Sequence, residues 1–373
     1  MILYRAYLLF LALAVVGSTV AAKERLELSA RLLVDADYYE SFWSRGDDNS
    51  NAELYLRNAR IEVEYDFPAG WEAVLQVDAE ANSDGSDVDL GTTYLRYTQW
   101  KFADITLGKM KEPLGLERNT SSAKRMIIEG AMMTRAFTPG KSWGVYLFNA
   151  NKRRRWALAA VVEDDQDNDY KKDSPTALTG RYTWSPINTK EQTLQVGASA
   201  SIRDWNKNRF RIRSRAEIDS ADTVVRSAEF IADQQAVAGL EGVWRDGSLQ
   251  VQGEYMFTRV EEVDGPDWDY SGYYIMGSYL LTGEQRQFKK GEFRSLKPLA
   301  ASGAWELVAR YSYLDVRERG LGSKAAVYTL GVNYYYRRDL KLMLAFLHPD
   351  ISGSVRHDDP DGNAVSMRLQ YLF

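Results

Sequence analysis

The chain alternates apolar and polar residues with a period of two over most of its length, and this constrains its fold more than any other feature. Leu28, Ala30, Leu32, Val34 and Ala36 interleave with Ser29, Arg31, Leu33, Asp35 and Asp37. Ala59, Ile61, Val63, Tyr65 and Phe67 interleave with Arg60, Glu62, Glu64 and Asp66. Trp71, Ala73, Leu75, Val77 and Ala79 follow against Glu72, Gln76, Asp78 and Glu80, and the rhythm returns at 305–313 and 329–336. In an extended chain the two sets point to opposite faces of a sheet, so one face is oily and the other charged. A soluble sandwich buries its apolar face within a few strands, not in a dozen or more. The pattern predicts an all-β, transmembrane antiparallel barrel of about sixteen strands. Each strand has roughly ten residues, the length that crosses a bilayer when tilted.

The connections alternate too. Short ones are expected at 67–70, 100–102, 151–155, 246–247 and 337–339, and longer polar ones at 41–51, 82–88, 164–175, 259–269 and 349–361. Short turns at one end and long loops at the other are the outer-membrane barrel pattern. Trp71, Trp100, Trp156, Trp184, Trp244 and Trp305 fall beside expected short turns, where indole prefers the membrane–water interface. At the other end of the sequence, Val365, Met367, Leu369, Tyr371 and Phe373 form one face of a last strand ending on Phe. Such an end is expected to engage the barrel-assembly machinery.

Residues 1–22 carry Arg5, an apolar run from Tyr7 to Val16 and the small-residue site Val20-Ala21-Ala22, the signature of a cleaved signal peptide. A single barrel domain is then expected over 23–373, in contact with outer-membrane lipid and lipopolysaccharide. No further run of about 18 apolar residues follows, so no helical span is expected. The chain has no cysteine and only two histidines, His348 and His357. Thiolate metal sites are therefore excluded and little imidazole chemistry is left. No cofactor or metal is expected, and a net charge of −5 suggests no nucleic-acid partner.

The stretch RFRIRSRA (209–216) places Arg209, Arg211, Arg213 and Arg215 at every second position. A packed core cannot hold such a file unpaired. It must face water, an acidic partner or a passage for anions.

Several segments are similar to a known family. LGKMKEPLGLERNTSS (107–122), GVYLFNA (144–150), LQVQGEY (249–255), SGYYIMGSYLLTGE (271–284), GAWELVARYSYLDV (303–316), TLGVNYY (329–335) and MRLQYLF (367–373) resemble the phosphate-selective porin O and P family. The resemblance implies a homotrimer of sixteen-stranded barrels, each with its own pore. It also implies a long third extracellular loop folded into the lumen, here 110–141, and an arginine ladder guiding anions to it. Arg211, Arg213 and Arg215 match the ladder on the fifth external loop, and Arg31 and Arg57 match arginines of the first two strands. Arg118 matches the basic position of the constriction loop, followed in register by Ser121 and Ser122. Ala123 and Glu129-Gly130 stand where phosphate-selective members carry basic residues, with Lys124 and Arg125 as possible substitutes. This departure weakens the expectation of high phosphate affinity.

Independently of the resemblance, a surface loop would not need Met126, Ile127, Ile128, Met132, Met133 and Phe137, whereas an inserted loop can bury them. Arg31, Arg57, Arg60, Arg96, Arg310 and Arg368 are equally compatible with an acid-paired barrel wall. Glu62, Glu64, Asp66, Asp78 and Glu80 are expected on its periplasmic half. The expected function is passive diffusion of small inorganic or organic anions across a Gram-negative outer membrane. The alternatives are a general or organic-anion porin of weak selectivity and, remotely, a barrel enzyme.

Overall fold

The structure, a computed structural model, describes residues 25–40, 50–82, 85–164, 173–289, 292–353 and 362–373. The signal segment and His357 lie outside the described residues, as do 41–49, 83–84, 165–172, 290–291 and the whole of 354–361. Sixteen strands form the wall. They are β1 (Arg25–Glu40), β2 (Ser50–Phe67), β3 (Trp71–Asn82), β4 (Gly85–Tyr97), β5 (Asp104–Lys111), β6 (Lys141–Ala150), β7 (Arg154–Glu163) and β8 (Thr176–Asn188). β9 (Gln192–Asp204), β10 (Phe230–Asp246), β11 (Leu249–Glu262), β12 (Trp268–Leu280), β13 (Ala304–Asp315), β14 (Ser323–Tyr335), β15 (Leu340–Gly353) and β16 (Ala364–Leu372) complete it. Each strand pairs antiparallel with the next. β16 returns to β1 through the register Arg31↔Leu372 to Tyr39↔Ala364, so the sheet closes and has no free edge.

The alternation has the expected sense. Leu178, Leu240 and Leu330 are each more than 60% exposed, while Thr179, Glu241 and Thr329 beside them are buried. In a closed barrel the buried set faces inward and the exposed apolar set faces lipid. Of the six tryptophans expected at the short-turn end, five are exposed and Trp156 is half-buried.

Three connections differ from expectation. β3 runs to Asn82 and β4 begins at Gly85, inside the expected 82–88 connection, and β11 and β12 run on so that 263–267 replaces the expected 259–269. At the short-turn end, 281–303 is a long connection that pairs Phe288–Lys289 with Glu292–Phe293. It is no surface loop: Arg286 donates to Glu306 (2.7 and 2.8 Å) and Tyr335 (2.6 Å), and Leu296 packs with Leu280, Ala304 and Tyr335.

The inner face is not polar all round. In β10–β16 it carries Met256, Tyr270, Met276, Leu314, Val327, Met343, Leu347 and Ile351. These form one apolar cluster with Met126, Ile127, Ile128, Met132, Met133 and Phe137 from the connection 112–140. Phe210, Ile212, Ile218, Val224 and Val225 from the connection 205–229 join the same cluster.

Candidate functional site

The connection 112–140 joins β5 to β6. It carries two short helices, α1 (Leu116–Asn119) and α2 (Met132–Phe137). Its path is fixed by polar side chains of the wall that would otherwise be buried without partners. The buried Glu112 accepts from Ser142 (2.8 Å), Thr179 (2.7 Å) and Arg203 (2.6 Å). Glu254 of β11 accepts from the backbone N–H groups of Leu116 and Glu117. Gly115 makes this approach possible: its φ is +78°, and a Cβ there would stand 2.4 Å from Met256 Cε. Further on, Asn333 donates to Met126 O (2.7 Å), Lys341 to Arg125 O (2.7 Å), Gln370 to Ala123 O (3.1 Å) and Arg368 to Ile128 O (2.6 Å). Strands β14, β15 and β16 thus hold successive carbonyls of the segment.

On the opposite side a cavity of about 980 Å³ remains. It is bounded by β1–β7, by 118–140 and by 205–215. Arg31, Arg57, Arg60, Arg209, Arg211, Arg213, Arg215, Arg118, Ser122 and Arg125 all line it. Ser121 and Lys124 do not. Ser121 turns the chain by accepting the Lys124 N–H at its carbonyl (2.8 Å), and Lys124 faces Glu292 of the 281–303 connection at 3.7 Å. Neighbouring side chains point to opposite sides of the segment, so Arg125 reaches the cavity where Lys124 does not.

The 209–216 stretch keeps its alternation although it is not one strand. Residues 209–210 pair with 230–231, and 213–214 with 225–226. Phe210, Ile212, Ser214 and Ala216 are buried, and the four arginines turn to the cavity.

The lining cations fall into two groups. Arg60 is held bidentate by Asp78 (2.5 and 3.0 Å), and Lys141 shares that carboxylate (2.9 Å). Arg57 pairs with Glu80, Glu129 and Asp219, each at 3.1 Å. Arg209 and Arg211 share Glu229 (3.4 and 2.8 Å), and Lys109 pairs with Asp164. Arg96, Arg310 and Arg368 are also acid-paired, as the wall alternative expects.

In contrast, Arg31, Lys111, Arg118, Arg125, Arg213 and Arg215 have no carboxylate within 4.0 Å among the described residues. Arg31 spends its donors on Asn58 (2.6 and 3.2 Å) and Ser122 (2.7 Å), Lys111 on Arg118 O (2.9 Å), and Arg118 on Gly140 O. The Nε groups of Arg118, Arg125 and Arg211 are buried and donate to no protein acceptor among the described residues. Burial, then the neighbouring Arg125, lowers Arg118 from the ordinary guanidinium range; burial lowers Arg125 as well. Uncompensated cations with spare donors in one cavity suit an oxyanion.

Lys109, Lys111, Lys141 and Arg135 were not singled out from the sequence. Strict alternation could not have found Lys109 and Lys111, which share the parity of the lipid-facing Leu107 and yet turn inward beyond Gly108. The acids are also placed differently from expectation. Asp78 and Glu80 pair with Arg60 and Arg57 on the loop side of the bore, and only Glu62, Glu64 and Asp66 lie toward the short turns.

With this geometry in hand, three comparisons place the chain. The profile of the family described as phosphate-selective porin O and P matches residues 27–373. Porin O of Pseudomonas aeruginosa is 27% identical over 389 residues, covering 93% of this chain and 88% of that protein. Among solved structures, the anion-selective porin from Comamonas acidovorans superposes with a TM-score of 0.62 at 13% identity, over 94% of this chain and 100% of that one. OmpT of Vibrio cholerae in its trimer form gives 0.58 at 11% identity, over 94% and 99%.

Proposed function

The chain belongs to the phosphate-selective porin O and P family of outer-membrane porins, and we propose that it is an anion-preferring diffusion pore. The observation that carries this reading is the convergence of Arg31, Lys111, Arg118, Arg125, Arg213 and Arg215 on one cavity without carboxylate partners. The segment 112–140 acts as the constriction, and 209–215 as the file that delivers anions to it. An anion passing the narrow zone gives up water, and guanidinium, ammonium and Ser122 hydroxyl donors replace part of it. Several weak sites in series let an ion enter and still leave. A charged bore with low-dielectric walls also raises the local anion concentration. No bond is made or broken; the protein is a channel and not an enzyme.

A second reading, a porin for small organic anions with weak selectivity, draws on the acids in the same cavity. Asp78, Glu80, Asp87, Asp89, Glu163 and Asp164 offset part of the basic field. Glu129-Gly130, where the family's phosphate-selective members carry a base, argues the same way. The family's name and the Comamonas porin's description favour anions in general; they do not choose between phosphate and larger anions. Assembly as a homotrimer agrees with the trimer form of OmpT. Removal of residues 1–22, recognition of Phe373 by the assembly machinery and contact with lipopolysaccharide complete the proposal.

Planar-bilayer recording decides. In a chloride gradient the reversal potential should report anion preference, and phosphate in the bath should reduce the chloride current. The triple change Arg211→Ala, Arg213→Ala and Arg215→Ala should lower anion conductance and shift selectivity toward cations. A wild-type pore that prefers cations would end this reading.

A further inference from the structure

Four charged side chains from three parts of the molecule form a closed ring. Arg57 of β2 reaches Glu129 and Asp219, both at 3.1 Å. Arg135 reaches the same two acids, both at 3.0 Å. Each guanidinium therefore bridges a carboxylate of the 112–140 segment and one of the 205–229 segment. Arg57 ties both to the wall.

Local structure shows how each member is aimed. Arg57 stands at a β-bulge: the register with β3 slips between Leu56 and Ala59, and that with β1 between Leu33 and Val34. A bulge re-aims side chains, and here it turns the consecutive residues Arg57 and Asn58 both inward. Asp219 follows a strained turn, in which Ala216 (φ 47°) and Glu217 (φ 72°) both adopt left-handed backbone. Such conformations persist only where the surroundings over-determine them. Glu217 supplies this by accepting from Arg310 of β13 and from the Met132 N–H (3.3 Å). Ser220 donates to Asp37 of β1 (2.8 Å).

We infer that Arg57, Glu129, Arg135 and Asp219 form a latch that locks the two inserted segments to each other and to the wall, and so fixes the bore. The inference rests on the reading of 112–140 as the constriction. It gives Arg57 and Asp219 the part of positioning residues. Apolar burial seats both segments against β10–β16, but that contact is non-directional and permits sliding. Paired, hydrogen-bonded charges set one register, because any other arrangement leaves a desolvated charge without its partner. Arg57 is then saturated by protein acids and is not a station for the permeating ion, unlike Arg31 one strand away.

The test uses the full chain refolded and recorded one channel at a time. Asp219→Asn keeps the shape and removes one corner of the ring. It should raise the rate of entry into sub-conductance states about tenfold, as expected for loss of a coupled interaction. Asp219→Glu should restore quiet currents. Glu80→Gln removes the Arg57 partner outside the ring and should leave the current quiet. Heat-modifiable gel mobility checks that each barrel has closed, and if Asp219→Asn fails to close, Arg135→Gln is read instead. Quiet currents from a folded Asp219→Asn channel, or noise from Glu80→Gln equal to that of Asp219→Asn, would overturn the latch. Both outcomes are separable from the proposed function, which stands or falls on the wild-type reversal potential.

Discussion

The inner faces of β1–β7 and of β10–β16 follow the same alternation yet hold different residues. The first sector presents Arg31, Arg57, Arg60, Asp78 and Lys109 to the cavity. The second presents Met256, Met276, Val327, Met343, Leu347 and Ile351, and two connecting segments fill the space before it. Period two fixes which side chains point inward, but what they meet there decides their chemistry. An inward side chain facing the cavity is charged; one facing the two segments is apolar and packed or, like Arg310, Lys341 and Arg368, bonded to their backbone. The bore is therefore off-centre, with its electrostatic wall on one side and its packing support on the other.

This contrast can be broken from either side, and the filled sector should give the larger effect. Met132 is 1% exposed and sits on α2. Met132→Asp buries a carboxylate in the apolar cluster and beside Glu217, at a cost of roughly several kcal/mol. The segment should leave its seat, and single-channel conductance should rise severalfold while the barrel stays folded. Unchanged conductance would mean that the packing does not set the bore.

A smaller, purely electrostatic effect is expected in the open sector. Lys111→Gln together with Arg125→Gln removes two uncompensated cations without disturbing an ion pair. The anion-to-cation permeability ratio from reversal potentials should fall severalfold, with conductance in concentrated salt nearly unchanged because charges are screened there. The same pair of changes should matter more than Arg60→Gln, since Asp78 already neutralises Arg60.

The smallest effect is a null one. Burial alone would raise the Glu129 carboxyl, but Arg57, Arg135, Arg368 and Arg125 together hold it well below the usual carboxylate range. The acids that share its partners are Asp219 through Arg57 and Arg135, Glu80 through Arg57, and Asp35 through Arg368. Because the folded value lies below the unfolded one, the stabilisation is present at neutral pH. It is lost only as pH falls through that depressed value. Current noise should therefore be the same at pH 7 and pH 5. A rise in noise by pH 5 would show that an acid of this group, Glu129 or the Asp35 that shares Arg368 with it, takes up a proton within that interval.

Much of this was legible beforehand, for a physical reason. A wall one residue thick leaves little room for tertiary context to override the pattern, so strand number and the lipid face followed from alternation. The inward set did so except where bulges turn Arg57 and Asn58 to the same side and where Lys109 and Lys111 turn inward beyond Gly108. The apolar run at 126–137 likewise announced a buried segment. Partnership was not legible. Arg31 and Arg57 look alike in sequence, but one ends on amide and hydroxyl groups and the other on three acids, because a bulge and two distant segments converge on Arg57. Lys124 and Arg125 differ by one position and face opposite sides. The 281–303 insertion was missed because its polar composition resembles a surface loop, while Arg286 finds buried partners on the adjoining strands and Glu292 pairs with Arg155 of β7 and Lys124.

The seam between β1 and β16 has a consequence in time. It joins the first strand of the wall to the last, so no partial chain can complete its hydrogen bonding. Until the final strand exists, two ladder rims stay open and must be shielded from other chains. Contacts this distant in sequence also form slowly, because closing the longest loop costs the most entropy. The molecule must travel to its membrane unfinished and become stable in one late step.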